Sequence, residues 1–336
     1  MARRKQTKAR ALQPAVMRIN YRIPANATGV FADLFQTLSG ANRRFMRQGQ
    51  NLAIANVRIT TLPAAAPTAP VTAYVNSLPH TWSVANSWIK SYSLWKRQQD
   101  EAIAASTSGD VVARFRDFKI FADADHVTAG VAANLQAWTL GPGVSGVLSA
   151  GLITTSSVLP PEDWDATSIV IPNDGAPGVT NEYHLHMMGD DLGATSKAMI
   201  KGYALSRAVP QSPDPATATP NITNSYLQEM FDVGNDNELV TESAQYENNE
   251  LPYDQNTYPG QVGNMQELEC QGYVHNASTV GVSTFNTGPF TAPCGLLRFD
   301  FNAQAAESPA GAYNIVTVEL VPGSSRGYLL ESMEEF

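Results

Sequence analysis

The chain contains little cysteine and little charge. Only two of its 336 residues are cysteine, Cys270 and Cys294, which excludes the disulfide framework of small secreted domains. Charged residues make up 16% of the sequence, whereas about 25% is usual in soluble globular proteins. Little of the surface is therefore expected to face open water.

Long apolar runs are absent as well. No stretch approaches the ~18 uninterrupted apolar residues of a membrane span, and no apolar run near residue 1 suggests a secretory signal. We therefore expect a soluble or self-assembling protein that folds in a reducing cytosol and has no membrane partner.

Enzyme signatures are also missing. The sequence has no Gly-x-Ser-x-Gly elbow, no phosphate-binding loop and no dinucleotide fingerprint. His184 and His186 share one face of a predicted strand at a spacing that can ligate zinc, but no nearby residue completes a set of ligands. The acidic clusters at 162–165 and 190–191 are ordinary in a chain with 31 acids. We expect no enzymatic activity, no metal and no cofactor.

The acidic stretch 232–242 does not fit the EF-hand template. Its glycine, Gly234, stands at the third position, whereas the loop requires one at the sixth. A solvated outer loop is the simpler interpretation, and calcium held between two subunits is the alternative.

The chain does have a steep gradient of charge. Residues 1–60 hold 11 Lys or Arg and one acid, residues 61–210 hold 9 and 13, and residues 211–336 hold 2 and 17. The net charge of the three segments is therefore +10, −4 and −15. Such polarity indicates two different partners, or two sides of a wall.

The cationic end begins with five basic residues in the first ten, without an acid among them: Arg3, Arg4, Lys5, Lys8 and Arg10. A segment of this composition cannot fold alone. Its natural partner is a polyanion, since each neutralised phosphate releases a condensed counterion whatever the base sequence. We predict that residues 1–15 form a disordered or extended basic arm that binds nucleic acid. A solubilising tail and a nuclear-import signal are the alternatives.

A second basic cluster consists of Arg43, Arg44 and Arg47. It lies in and just beyond a stretch with helical apolar spacing, residues 30–45. These arginines either contact nucleic acid at an inner surface or lie on a solvated helix face. We include them among the predicted nucleic-acid-binding residues.

Alternating and β-branched residues predict a chain dominated by strands. The expected strands are 16–23, 52–62, 71–75, 111–121, 167–172, 183–188, 268–274, 295–301 and 313–321, with further strands and loops in 135–161. The expected helices are 31–47, 82–95, 197–207 and 225–231. Nine or ten strands fit one shell domain, residues 16–336, with an all-β fold: an antiparallel jelly-roll sandwich with short helical insertions. Two jelly rolls would need about sixteen strands.

Three aromatic residues mark one face of the helix predicted at 82–95. Trp88, Tyr92 and Trp95 are spaced four and three residues apart. We expect this face to pack into the core, and a stacking platform for bases or sugars is the alternative.

Turn-forming and aromatic residues mix near residue 255. Pro252, Tyr253 and Asp254 are followed by Tyr258 and Pro259, and aromatic residues are enriched where proteins touch. We predict a contact between subunits, or a fixed surface turn, at these five residues.

Several segments, taken in order, resemble the coat proteins of small circular single-stranded DNA viruses known mainly from environmental sequence. No single motif is specific to that family, but their order is, and they run from about residue 16 to the end of the chain. The segments are Asn42-Arg43-Arg44-Phe45-Met46-Arg47-Gln48-Gly49, Trp82 to Trp95, Asp117-Phe118-Lys119, Tyr203 to Arg207, Glu247 to Asp254, Tyr258-Pro259-Gly260, Pro293 to Leu297, and Val318 to Gly323 with Gly327.

The resemblance implies a jelly-roll subunit, icosahedral self-assembly and a packaged DNA genome. The protein would then occupy the virion and, before assembly, the host cytoplasm or nucleus. Its expected partners are further copies of itself and single-stranded DNA bound through the basic arm. Two other classes stand as alternatives. One is a secreted-type carbohydrate-binding or glycan-cleaving jelly roll that uses the tryptophans near Trp82, and the other is a cellular nucleic-acid-binding protein.

Overall fold

The computed structural model describes residues 15–24, 26–61, 70–105, 117–139, 157–158, 164–172, 180–208, 227, 267–279, 282–303 and 313–335. Its strands are β1 (Arg18–Pro24), β2 (Val30–Asp33), β3 (Gln50–Thr61), β4 (Val71–Ser77), β5 (Trp138–Thr139), β6 (Ser157–Val158), β7 (Ser168–Pro172), β8 (Thr180–His186), β9 (Ser196–Ala198), β10 (Glu269–Asn276), β11 (Ser283–Asn286), β12 (Phe290–Pro293), β13 (Leu296–Ala303), β14 (Tyr313–Leu320), β15 (Pro322–Ser325) and β16 (Leu330–Ser332). Its helices are α1 (Leu34–Asn42), α2 (Trp82–Ala105), α3 (Ala124–Ala129) and α4 (Met199–Ala208), with one turn of 3₁₀-helix at Val131–Ala133.

Six strands form the larger sheet, and every pair in it is antiparallel. β1 pairs with β14, β14 with β3, and β3 with β11, while β12 and β16 pair with the first half of β3. Alternation places Ile19, Tyr21 and Ile23 on the buried face of β1. The strand predicted at 16–23 is therefore confirmed, with its apolar face inward.

A second antiparallel sheet has the order β10-β4-β13-β2. Its inward face carries Ala73 and Val75 from β4 and Phe299 and Phe301 from β13, all fully buried. The two sheets pack face to face, with the ring of Tyr21 6.5 Å from that of Phe299. They share one hydrophobic cluster, to which α1 also contributes. Each fully buried large side chain of this kind stabilises the fold by about 1.5–3 kcal/mol.

Between β4 and β10 the chain builds a second, smaller layer. A three-stranded sheet, β7-β8-β9, packs with α2 and α4 around its own hydrophobic cluster. Trp88 and Trp95 are 4% and 7% exposed, and Tyr92 stacks on Trp88 at 4.8 Å. The aromatic face predicted at Trp88, Tyr92 and Trp95 therefore packs into the core, as expected.

Polar side chains fasten this insertion to the sandwich. Arg298 on β13 reaches three carboxylates, at 2.8 Å from Asp123, 2.9 Å from Asp125 and 3.0 Å from Asp300. Asp123 also caps α3, where its carboxylate accepts from the His126 backbone N–H at 2.8 Å. Arg298 thus ties the start of α3 to β13.

The expectation of a mostly β, mainly antiparallel sandwich with few helices is confirmed. The strands predicted at 52–62, 71–75, 167–172, 183–188, 268–274, 295–301 and 313–321 correspond to β3, β4, β7, β8, β10, β13 and β14. The helices predicted at 82–95 and 197–207 correspond to α2 and α4. Of the helix predicted at 225–231, the structure describes only Leu227, which is helical. None of the helices described is long and apolar enough to cross a membrane.

Three predictions are wrong in detail. The helix expected at 31–47 is a short strand, β2, followed by α1, because 30–33 pair with β13. Of the strand expected at 111–121, residues 111–116 lie outside the described residues, and no strand forms over 117–120, where the Lys119 and Ile120 N–H groups donate to the side chains of Thr167 and Gln48. The count of nine or ten strands is too low, because six strands of four residues or fewer, β2, β9, β11, β12, β15 and β16, were not predicted.

Candidate nucleic-acid interface

Part of the predicted interface falls within the structure. The arginines of the second cluster are described, whereas Arg3, Arg4, Lys5, Lys8 and Arg10 of the arm lie outside the described residues. The predicted subunit-contact residues Pro252, Tyr253, Asp254, Tyr258 and Pro259 also lie outside them, as does the acidic stretch 232–242. The roles of these residues remain predictions.

The end of α1 turns the second cluster toward solvent. Arg43 adopts a left-handed conformation, φ 51°, and its N–H donates to the Gly40 carbonyl at 3.3 Å, which ends the helix. Arg43, Arg44 and Arg47 are all exposed. Their positive charge lies just beyond the carboxyl end of α1, where the helix dipole favours cations.

Buried neighbours hold this segment in place between its exposed arginines. Met46 is buried in the core, and the Gln48 amide donates to Asp33 at 3.1 Å and accepts from the Ile120 N–H at 2.7 Å. Gly49 lies against the indole of Trp88 so closely that a Cβ atom would collide with the ring. The arginines therefore project from a fixed backbone.

Arg326 joins the cluster from the other end of the chain. Its guanidinium donates to the backbone carbonyl of Phe45. A concavity of about 730 Å³, which we call the Arg326 concavity, opens at this contact and is lined by Arg44, Phe45, Met46, Arg47, Gln50, Ser325 and Arg326. Sequence reasoning missed this residue. The one available signal was that Arg326 is one of only two basic residues in the most acidic third of the chain.

The arm leaves the described fold beside the same arginines. The Val16 N–H donates to the Asn42 side chain at 3.0 Å, and the Tyr328 hydroxyl donates to the Val16 carbonyl at 2.8 Å. Asn42 immediately precedes Arg43, and Tyr328 lies two residues after Arg326. Val16, where the described chain begins its path to β1, is therefore held next to the exposed cluster.

An aromatic and cationic wall lies beside the cluster. The ring of Phe45 is 6.0 Å from that of Trp164, and the Lys119 ammonium lies 4.4 Å above the indole. Asp117 is the neighbouring acid, 3.7 Å from Arg47, and burial raises the pKa of its carboxyl. The local balance of charge among these described residues is positive.

Asp33 lies behind this wall with its carboxylate buried. It accepts from the Gln36 backbone N–H at 3.0 Å, from Gln48 at 3.1 Å and from the Trp164 indole at 3.1 Å. Burial raises the pKa of Asp33 to about 6, although these donors favour the charged form. The carboxylate anchors α1, the Gln48 segment and Trp164 together.

The outer face of the larger sheet carries further arginines. Arg18 on β1 and Arg58 on β3 approach the same carboxylate, Glu319 on β14, at 3.1 Å and 3.9 Å. Arg22 lies on the same face of β1, two residues beyond Asn20. This face continues from the point where the arm emerges, because Arg18 follows Val16 by two residues.

The histidines considered as metal ligands and the acids at 190–191 have local partners, whereas Glu162 and Asp163 lie outside the described residues. The buried His186 ring contacts the Asp190 carbonyl at 3.0 Å, and His184 lies 3.5 Å from the Ser168 hydroxyl. Asp190 pairs with Lys201 at 3.1 Å. Among the residues that the structure describes, no group of three or more His, Cys, Asp or Glu is arranged to hold a metal ion.

Comparison with known proteins gave no match: no protein-family model, no curated protein and no solved structure is significantly similar to this chain.

Proposed function

We propose that this chain is a capsid protein: a jelly-roll subunit that self-assembles into an icosahedral shell and packages single-stranded DNA through its basic arm. The observation on which the proposal rests is the meeting of the arm with an exposed arginine cluster, through the contacts of Val16 with Asn42 and Tyr328. One surface thus combines the charge of the first 15 residues with that of Arg43, Arg44 and Arg47.

The pairing of the strands supports the jelly roll. The two sheets have eight strand positions when β11 and β12, which both pair with β3, are counted as one. In chain order these are β1, β2, β3, β4, β10, β11 with β12, β13 and β14. The first position pairs with the eighth, the second with the seventh, the third with the sixth, and the fourth with the fifth. This is the pattern of a long antiparallel hairpin rolled into two sheets, which is the architecture of a jelly roll. Fold alone does not give function, because jelly rolls also occur in lectins and cupins.

Charge distinguishes a shell subunit from those other jelly rolls. Five basic residues in the first ten suit the neutralisation of a packaged polyanion. The carbohydrate-binding alternative relied on exposed tryptophans, and the burial of Trp88 and Trp95 removes two of the three near Trp82 from any platform. A cellular nucleic-acid-binding protein is left as the competing outcome of the experiment.

Assembly is the property that separates the two. We expect the expressed full-length protein to form closed, uniform particles by electron microscopy and light scattering, and to co-purify with nucleic acid. A chain that stays monomeric or dimeric over a range of salt and pH, with and without added DNA, contradicts a shell subunit and favours a cellular binding protein.

Deletion of residues 1–10 tests the packaging role. Because five basic residues are removed, the nucleic-acid content per subunit should fall sharply, and the salt dependence of DNA binding should become shallower by about three in log–log slope. Arg97→Gln on α2 removes an exposed charge that pairs with Glu101 and serves as the control. Unchanged nucleic-acid content in the deletion would move packaging away from the arm, first to Arg43, Arg44 and Arg47.

A further inference from the structure

The Arg326 concavity has a size and a lining suited to a small anionic ligand. Its volume of about 730 Å³ falls within the roughly 300–1,000 Å³ of typical ligand sites. Three of the seven described lining residues are arginines, and none of the seven carries a carboxylate. Guanidinium groups match phosphate oxygens with two parallel hydrogen bonds, so that this lining favours a phosphate group.

Arg326, which lines the concavity, holds an unfavourable backbone conformation, and so does Arg43 at the end of α1. Among the described residues only three other than glycine have positive φ, and two of them are Arg43, at 51°, and Arg326, at 55°. A left-handed conformation costs an ordinary residue about 1–2 kcal/mol, which glycine avoids. The left-handed turn at Arg43 ends α1, whereas the side chain of Arg326 lines the concavity and donates to the Phe45 carbonyl, which points to a role for that side chain.

One aromatic residue, Phe45, lines the concavity beside the arginines. Phe45 is partly buried, its carbonyl accepts from Arg326, and its ring packs near Trp164. Trp164 in turn donates from its indole to Asp33 at 3.1 Å. A flat ring fixed beside three guanidinium groups can bind a base at the same time as its phosphate.

We propose that the Arg326 concavity binds one nucleotide of single-stranded nucleic acid, with the phosphate on Arg44, Arg47 and Arg326 and the base against Phe45. Duplex DNA does not fit this arrangement, because its bases are stacked and paired and present no free face to an aromatic ring. The inference rests on the proposed packaging function and adds to it the site at which the shell domain itself meets the strand.

Photochemical cross-linking tests the site in the full-length protein. A short thymidine oligonucleotide with one 5-iododeoxyuridine is bound to the unassembled subunit, irradiated and mapped by mass spectrometry. We expect cross-links at Phe45 or Trp164 in addition to any in the arm, and none at these rings when the same strand is annealed to its complement.

Substitutions then connect the cross-link to the arginines. Arg326→Gln and Arg44→Gln should each lower the yield at Phe45 about tenfold, since each removes a charge-assisted hydrogen bond to phosphate. Phe45→Leu keeps an apolar side chain, removes the ring, and should weaken oligonucleotide binding about fivefold or more. Arg97→Gln removes one exposed positive charge elsewhere and should leave the yield unchanged.

The outcomes separate this site from the packaging role. Cross-links confined to the arm, with the oligonucleotide still bound, overturn the nucleotide site and leave packaging by the arm intact. A protein that binds no nucleic acid overturns the proposed function itself. Competition distinguishes a nucleotide from a bare phosphate: thymidine monophosphate should displace the Phe45 cross-link at least about tenfold better than inorganic phosphate, and equal potency overturns the contact with the base.

Discussion

The side-chain amide of Asn42 donates a hydrogen bond of 2.8 Å to the hydroxyl of Tyr328, 286 positions further along the chain. The same hydroxyl donates to the Val16 carbonyl at 2.8 Å, so that three distant segments meet at one oxygen. Because Val16 is where the predicted arm joins the sandwich, this oxygen fixes the backbone at that junction. The helix end that bears Arg43 and the turn that bears Arg326 are both held to that point.

Tyr328→Phe should therefore destabilise the fold and loosen the start of the arm. The change removes both hydrogen bonds but keeps the ring, which is fully buried, and we expect a loss of about 1–2 kcal/mol in the free energy of unfolding in urea. Hydrogen exchange at residues 15–17 should become faster, because the Val16 carbonyl loses its partner.

Tyr74→Phe is the matched control for this prediction. Tyr74 is 38% exposed, and the same change there should lie within about 0.5 kcal/mol of the wild-type stability. Equal effects of the two substitutions, with unchanged exchange at 15–17, would show that the Tyr328 hydroxyl does not organise the arm.

Arg298→Met should lower the free energy of unfolding considerably more than Tyr328→Phe does. The guanidinium is only partly exposed and faces Asp123, Asp125 and Asp300, and its loss leaves the largely buried carboxylate of Asp123 without its cation. We expect about 2–4 kcal/mol of destabilisation, since removal of one partner leaves an uncompensated charge. Circular dichroism and urea unfolding measure it, and Arg298→Lys should recover part of the loss.

Arg97→Gln provides the comparison for Arg298. Arg97 pairs with Glu101 at 2.8 Å on an exposed face of α2, and exposed helical pairs contribute only about 0.3–0.5 kcal/mol. If both arginine variants lose the same small amount, Arg298 does not fasten the insertion to the sandwich.

The fold was most predictable where local alternation decided it. In β1, Ile19, Tyr21 and Ile23 alternate with polar residues, and one buried face requires this register. β2 was missed because its four residues become a strand only through pairing with β13, which lies more than 260 positions away. The helix predicted across 31–47 overran because apolar spacing continues past Arg43, while the left-handed turn at Arg43 ends it.

The segment 117–121 shows a different limit. Its alternation is real, since Phe118 and Ile120 are buried, but two of its N–H groups donate to side chains instead of to a neighbouring strand. The Lys119 N–H donates to the Thr167 hydroxyl at 2.8 Å, and the Ile120 N–H to the Gln48 side chain at 2.7 Å. Likewise, Arg43, Arg44 and Arg47 could be chosen from their charge, whereas Arg326 joins them only through tertiary contacts that no local pattern contains.

Asp33→Asn should change how stability depends on pH. Because the pKa of Asp33 is raised to about 6 in the folded state, against about 3.9 when unfolded, the folded protein binds the proton more tightly. Asp33 therefore adds up to about 3 kcal/mol of stability as the pH falls through 6 toward 4. Asparagine keeps the N-cap of α1 but does not titrate, so the variant should lose this gain relative to the wild type.

The measurement for Asp33 is urea unfolding of the unassembled subunit at pH 7 and at pH 4.5. The difference in stability between variant and wild type is compared at the two pH values, which cancels all other titrating groups. The variant should fall further behind the wild type at the lower pH, and an equal difference at both values contradicts a raised pKa.

His126→Gln should have the opposite effect over the same range. The His126 ring is buried against Phe31, its Nδ1 accepts from the Ala122 N–H at 3.1 Å, and its Nε2–H therefore donates to Asn134 at 2.7 Å.

Burial lowers the pKa of His126 to about 4, against 6.5 when unfolded, so the unfolded chain binds the proton more tightly. His126 thus costs up to about 3 kcal/mol of stability as the pH falls from 6.5 through 4. Glutamine does not titrate, so this variant should gain on the wild type at pH 4.5 relative to pH 7, and an unchanged difference would mean that folding does not lower the pKa of His126. Because Asp33 and His126 act in opposite directions between pH 4 and pH 6, the wild-type profile hides both effects, and only the two single variants measured side by side reveal them.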